Sequence, residues 1–163
     1  MKSTTLYSII FFSSAFLLLS ACSQNNQQEV SDGWLTGSDQ ERFDKVASHL
    51  GGFSKAMWEV DYRFHELYWA GNDMNWEYAL HQALEMGETI ANGLERRPER
   101  AASAQQFISS ALPGIEKAFL AEDPEMFERN FQLLMSSCNS CHALEEMPFL
   151  TVKTPLERRS SIR

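Results

Sequence analysis

Near the end of the chain stand Cys138, Asn139, Ser140, Cys141 and His142, two thiols three positions apart with an imidazole directly after the second. Cys-x-x-Cys-His is the attachment signature of a c-type haem. On a helix the cysteines are one turn apart, so two thioethers can hold the porphyrin vinyl carbons while an imidazole nitrogen reaches the iron. Two other chemistries use such residues: a Cys138–Cys141 redox disulfide, and half of a zinc site. A thioredoxin-like disulfide belongs in a βαβ context, which the sequence does not present. A structural zinc site usually takes a second ligand pair, and the chain has only one further cysteine, Cys22. One covalently attached haem c is the expected cofactor, with Cys138 and Cys141 as thioether donors and His142 as the proximal iron ligand. No catalytic residue is expected, and the chain is read as a carrier or binder, not an enzyme.

Cys22 has its own context. Leu6 to Leu19 form a 14-residue, almost wholly apolar run behind a single early charge, Lys2. That is the length of a signal-peptide hydrophobic region, whereas a spanning helix needs roughly 20 apolar residues. The run ends in Leu19-Ser20-Ala21-Cys22, which resembles the lipobox of bacterial lipoproteins. The resemblance implies cleavage before Cys22 and acylation of its thiol, which anchors the chain to the lipid bilayer without a membrane-spanning helix. Ser23 and Gln24 follow, with no Asp just after the cysteine, and this resembles lipoproteins sent to an outer membrane, here facing the periplasm. An export signal also supports the haem reading, because bacterial haem attachment takes place outside the cytoplasm.

The elements that must position the motif read as helices. Residues 1–21 are expected to be the signal peptide, 22–37 a lipidated flexible tether, 38–147 the folded bundle and 148–163 an irregular basic tail. Ser38-Asp39-Gln40-Glu41 matches a capping box and opens a first helix. Its apolar residues Phe43, Val46, Ala47 and Leu50 pass Gly51-Gly52 and resume at Met57, Val60, Phe64 and Leu67, as one kinked helix or two. Asn75 caps a second helix that ends before Pro98. A third runs from about Glu99 to Leu120 with a kink at Pro113-Gly114, and Asp123-Pro124 opens the fourth. On the fourth, Phe127, Phe131, Leu134, Cys138 and Cys141 are separated by 4, 3, 4 and 3 residues, which puts both cysteines on the core-facing stripe. The expected fold class is all-α, an up-and-down antiparallel four-helix bundle with the haem motif on its last helix.

Position in the chain decides between haem architectures. Only 21 residues follow His142, and Met147, five positions on, cannot fold over to the opposite face of the iron. The small cytochrome fold with a methionine ligand well downstream is therefore not expected. A haem motif near the end of the last of four helices resembles the cytochrome c-prime family, over about residues 38 to 146. That resemblance implies a haem inside the bundle, an early helix over its distal face, and pairing of two bundles as a homodimer. The extension from Pro148 departs from that family. Leu67-Tyr68-Trp69-Ala70-Gly71, Asn75-Trp76, the haem motif and Pro148-Phe149-Leu150-Thr151-Val152 also look like a group of small bacterial c-type cytochrome-like proteins.

Opposite His142, the candidate sixth ligand or distal neighbour is His65, set among Tyr62, Phe64, Tyr68 and Trp69; a structural histidine is the competing reading. His49 and His81 read as structural, and Met57, Met74, Met86, Met126 and Met135 as core filler or surface residues. Phe131 and Leu134, one and two turns before the cysteines, are the expected haem neighbours. Arg63, Arg96, Arg97 and Arg129 are propionate candidates or solvated charges. The 163 residues carry 14 basic and 22 acidic side chains, a net −8, and removal of residues 1–21 makes this −9. Such a balance argues against nucleic acid as a partner. The expected function is single-electron transfer between redox protein partners by a membrane-anchored c-type cytochrome. The alternative is a five-coordinate haem protein that binds nitric oxide or carbon monoxide as sensor or scavenger.

Overall fold

The computed structural model describes residues 33–162. The signal segment, Cys22 and most of the tether lie outside them. The described residues are all-helical, with no strand, and the chain divides into two compact units, Met1–Val46 and Ala47–Arg163.

In the first unit the capping box forms as its residue types require. Ser38 donates its backbone N–H to Glu41 Oε2 at 2.7 Å, and the hydroxyl donates to the same oxygen at 2.8 Å. Helix α1, Asp39–Leu50, starts there and has no buried residue. Phe43, Val46 and Leu50, the apolar residues of this helix, are exposed. The glycine pair ends the helix outright: Gly51 takes a left-handed φ of +73°, a terminating conformation that costs glycine little.

The second unit holds the core. Helix α2, Phe53–Asn72, is followed by α3, Trp76–Arg96. Asn75 caps α3 by accepting the Tyr78 N–H at 3.3 Å, and α3 stops before Pro98. A 3-10 turn, Pro98–Arg100, leads into α4, Ala101–Gln106, a π-helical turn Phe107–Ala111, and α5, Leu112–Leu120. The expected kink at Pro113 is thus a widened turn just before the proline. Proline lacks an N–H and its ring crowds the carbonyl four residues back, and a π turn moves that carbonyl away. Asp123 caps α6, Pro124–Leu144, by accepting the Met126 N–H at 2.9 Å. Counting 101–120 as one interrupted rod, the described residues form five helices.

Within the second unit α2 packs on α3, α3 on α5, α5 on α6, and α6 back on α2. A ladder of aromatic rings runs through the middle. Trp76 meets Phe119 and Phe127, each at 6.4 Å between ring centres. Phe127 lies 5.9 Å from Phe131, and Phe131 meets Phe64 at 5.0 Å and Tyr68 at 4.7 Å. Gly71 lets the Phe127 ring lie against the α2 backbone: a Cβ there would stand 2.6 Å from it. Such offset and tilted aromatic pairs add to plain area burial, and the ladder fixes the level at which the end of α6 meets the rest of the unit.

Candidate haem attachment site

The last two turns of α6 carry the motif. The register of α6 against α2 follows from Phe127 on Gly71 and Phe131 on Phe64 and Tyr68. Cys138 follows Leu134 on that stripe and packs against the core, while Cys141 is half-buried. Both thiols are free. Burial pushes the Cys138 thiol up to about 12, with the neighbouring Cys141 adding to the effect. Cys141 is raised too, chiefly by burial; its hydrogen bond with the Ser103 hydroxyl pulls the other way, and the Glu145 carboxylate adds to the rise. Redox-active and metal-binding cysteines work as thiolates, and catalytic pairs have lowered values. These two are held as neutral thiols, the form that carries the S–H needed for addition across a vinyl group.

A pH dependence follows. The unfolded chain releases its thiol protons near 8.5, the folded chain only well above that, so between these values the folded state binds more protons. Stability therefore falls as pH rises from about 8.5 toward 12, by on the order of 1 kcal/mol per pH unit for a fully shifted thiol. In the haem-free folded chain at pH 9, iodoacetamide is expected to alkylate Cys138 at least ~100-fold more slowly than in urea. Mass spectrometry of timed samples reads the ratio, and equal rates would refute the shielded thiol.

His142 follows Cys141 directly, and its Nδ1 stands 2.7 Å from the Leu150 carbonyl oxygen. A carbonyl only accepts, so Nδ1 carries the proton and Nε2 keeps its lone pair. Metal-ligating histidines almost always have their other ring nitrogen committed in this way. One turn before His142, Asn139 makes two hydrogen bonds with the backbone of Val152. On the other side of the motif Glu145 accepts from Arg100 and from Ser103, tying the end of α6 to the start of α4. Among the described residues no group of three or more His, Cys, Asp and Glu side chains is placed to hold a metal ion.

The other sequence candidates are distributed as follows. Phe131 and Leu134 lie on the same side of α6 as Cys138 and are fully buried in the core. His65 is largely covered; its Nδ1 donates to the Asp61 carbonyl at 2.9 Å and lies 3.4 Å from the Asp61 carboxylate. That leaves it on α2 with the same proton placement as His142. His49 and His81 are exposed. Met86 is buried, Met57, Met126 and Met135 pack against the core, and Met74 is exposed. Arg63 is engaged with Gln82, Glu59 and Glu85, Arg129 pairs with Glu125, Arg97 donates to the Arg96 carbonyl, and the Arg96 Nε is buried without a partner. The Ser137 hydroxyl, beside the motif, is likewise buried and unpartnered.

The donor set fits a c-type haem: two neutral thiols one turn apart and an imidazole with its lone pair on Nε2, all on one helix. A small cavity among Glu66, Trp69, Asp73, Tyr78 and Arg158 holds about 10 Å3, room for one water. Asn139, Ser103, Arg100 and Glu145 escaped sequence reading, because their partners lie 13 to 45 positions away. No helix of the described residues is long and apolar enough to cross a membrane. Neither a family model, nor a curated protein, nor a solved structure matches the chain.

Proposed function

We propose that the chain is a membrane-anchored monohaem c-type cytochrome that carries single electrons between redox protein partners. The observation that carries this reading is the state of His142: its Nδ1 proton is committed to the Leu150 carbonyl, leaving Nε2 basic beside two neutral thiols. Cys138 and Cys141 would hold the porphyrin through thioethers, and His142 Nε2 would hold the iron. The haem supplies the one-electron couple when bound. The protein supplies the ligand, the apolar wall built from the α6 stripe, and an acidic surface suited to a basic partner. In this reading α2, α3, the rod 101–120 and α6 form an antiparallel four-helix bundle of the cytochrome c-prime kind, and two such bundles pair as a homodimer. Acylated Cys22 would hold the whole on a bacterial membrane, the outer one, facing the periplasm.

An optical spectrum tests the proposal. Expressed with haem-attachment machinery, the chain is expected to carry one haem that survives acid acetone, and its reduced spectrum is expected to be low-spin and unmoved by carbon monoxide. A high-spin spectrum that shifts with carbon monoxide would overturn electron transfer in favour of nitric oxide or carbon monoxide binding. A chain without haem would overturn both.

A further inference from the structure

We propose that residues 148–160 act as a strap that positions His142, and that Asn139, the first spacer residue of the motif, is its clasp. The Asn139 carboxamide donates from Nδ2 to the Val152 carbonyl at 3.0 Å and accepts the Val152 N–H at Oδ1 at 2.7 Å. It thereby satisfies both polar groups of one peptide residue, as a neighbouring strand would. This requires a donor and an acceptor side by side, which a carboxamide has and a carboxylate lacks. His142 stands three positions after Asn139 on α6, and side chains so spaced are neighbours on a helix surface. Leu150 lies two residues before Val152. Fixing Val152 therefore fixes the Leu150 carbonyl where His142 Nδ1 meets it.

The rest of the strap is seated as well. Pro155 is buried, the Glu157 carbonyl accepts from Trp69 Nε1 at 3.1 Å, Arg158 pairs with Asp73 and covers the Trp69 ring, and Arg159 pairs with Asp61 at 2.8 Å. Arg159 with Asp61 is an exposed pair that holds little by itself, and the half-buried Arg158–Asp73 pair lies six residues beyond Val152, so the clasp beside the motif is the part that governs the imidazole. Asn139 is a positioning residue. It acts on His142 through the backbone of the strap, keeping the proton on Nδ1 and the lone pair on Nε2. That the lone pair serves a haem iron rests on the function proposed above, whereas the proton placement does not.

The test uses the full chain, without haem, with 15N-labelled histidine at pH 8. His142 is expected to show the Nδ1-protonated form alone. Asn139→Ala is expected to return a mixture of both tautomers, and Asn139→Asp, which keeps only the acceptor for the Val152 N–H, an intermediate ratio. Arg158→Ala with Arg159→Ala is expected to leave the tautomer unchanged. Should circular dichroism show that Asn139→Ala loses helix, Asn139→Asp decides in its place. In the haem-loaded chain, the Asn139→Ala potential is expected to move to more positive values, because an imidazole without its acceptor is a weaker donor to the oxidised iron. A wild-type His142 protonated on Nε2, or a tautomer ratio unmoved in the folded variants, would overturn the strap. Failure of the chain to take haem would overturn the haem reading and leave the NMR result to decide the strap.

Discussion

Phe131→Ala is expected to destabilise the second unit by about 3–5 kcal/mol, the range for truncating a buried aromatic ring. Phe131 is fully buried and touches Phe64 and Tyr68 of α2 and Phe127 of its own helix, so its loss removes the α6–α2 ring contacts and leaves a cavity that three rigid rings cannot collapse into. Domains of this size are stable by about 5–15 kcal/mol, so the variant gives up a large share of the total. At a few degrees per kcal/mol, the melting temperature is expected to fall by about 10–20 °C. Leu133→Ala, two positions along α6 at 60% exposure, is the control and is expected to stay within about 0.5 kcal/mol. Thermal melts of the haem-free chain followed by circular dichroism measure both. Equal effects for the two would mean that α6 does not face the core in this register.

The second large effect concerns the proposed haem iron. His142→Ala is expected to leave covalent haem on Cys138 and Cys141 while abolishing the low-spin spectrum of the parent. The substitution removes the ring nitrogen that Leu150 holds in place and opens a space the size of an imidazole between α6 and the strap. Free imidazole added to the variant is expected to enter that space and restore the parent absorption bands. A purely structural His142 would give neither the spectral loss nor the recovery. Retention of the parent spectrum in His142→Ala would remove it as the iron ligand. The same substitution tests the thiol chemistry independently, since attachment through Cys138 and Cys141 needs only their S–H groups.

Much of the architecture was legible from local residue types. Ser38 with Glu41, Asn75, and Asp123 with Pro124 each start a helix where their side chains can satisfy free backbone N–H groups. The 4, 3, 4, 3 spacing from Phe127 to Cys141 marked the inner stripe of α6, and its buried members are the ones the core uses. Phe43, Val46 and Leu50 keep a helical period, yet periodicity states only which residues share a face and not whether anything covers it. At Pro113 the sequence marked the disturbance, and the backbone chose a π turn before the proline over a break.

The tail marks the division most clearly. By itself the sequence determined that residues 148–162 are not helical, since Pro148 and Pro155 remove donors that a helix needs. It also determined the Cys-x-x-Cys-His donor set, because three ligating groups within five residues require no fold to bring them together. Only the tertiary structure decided where the His142 proton sits and what Asn139 does. Those depend on single hydrogen bonds to carbonyl and amide groups of a segment that returns along α6, and backbone groups are alike in every residue but proline. A sequence names the side chains that can ligate, and the fold selects which backbone oxygen faces each of them.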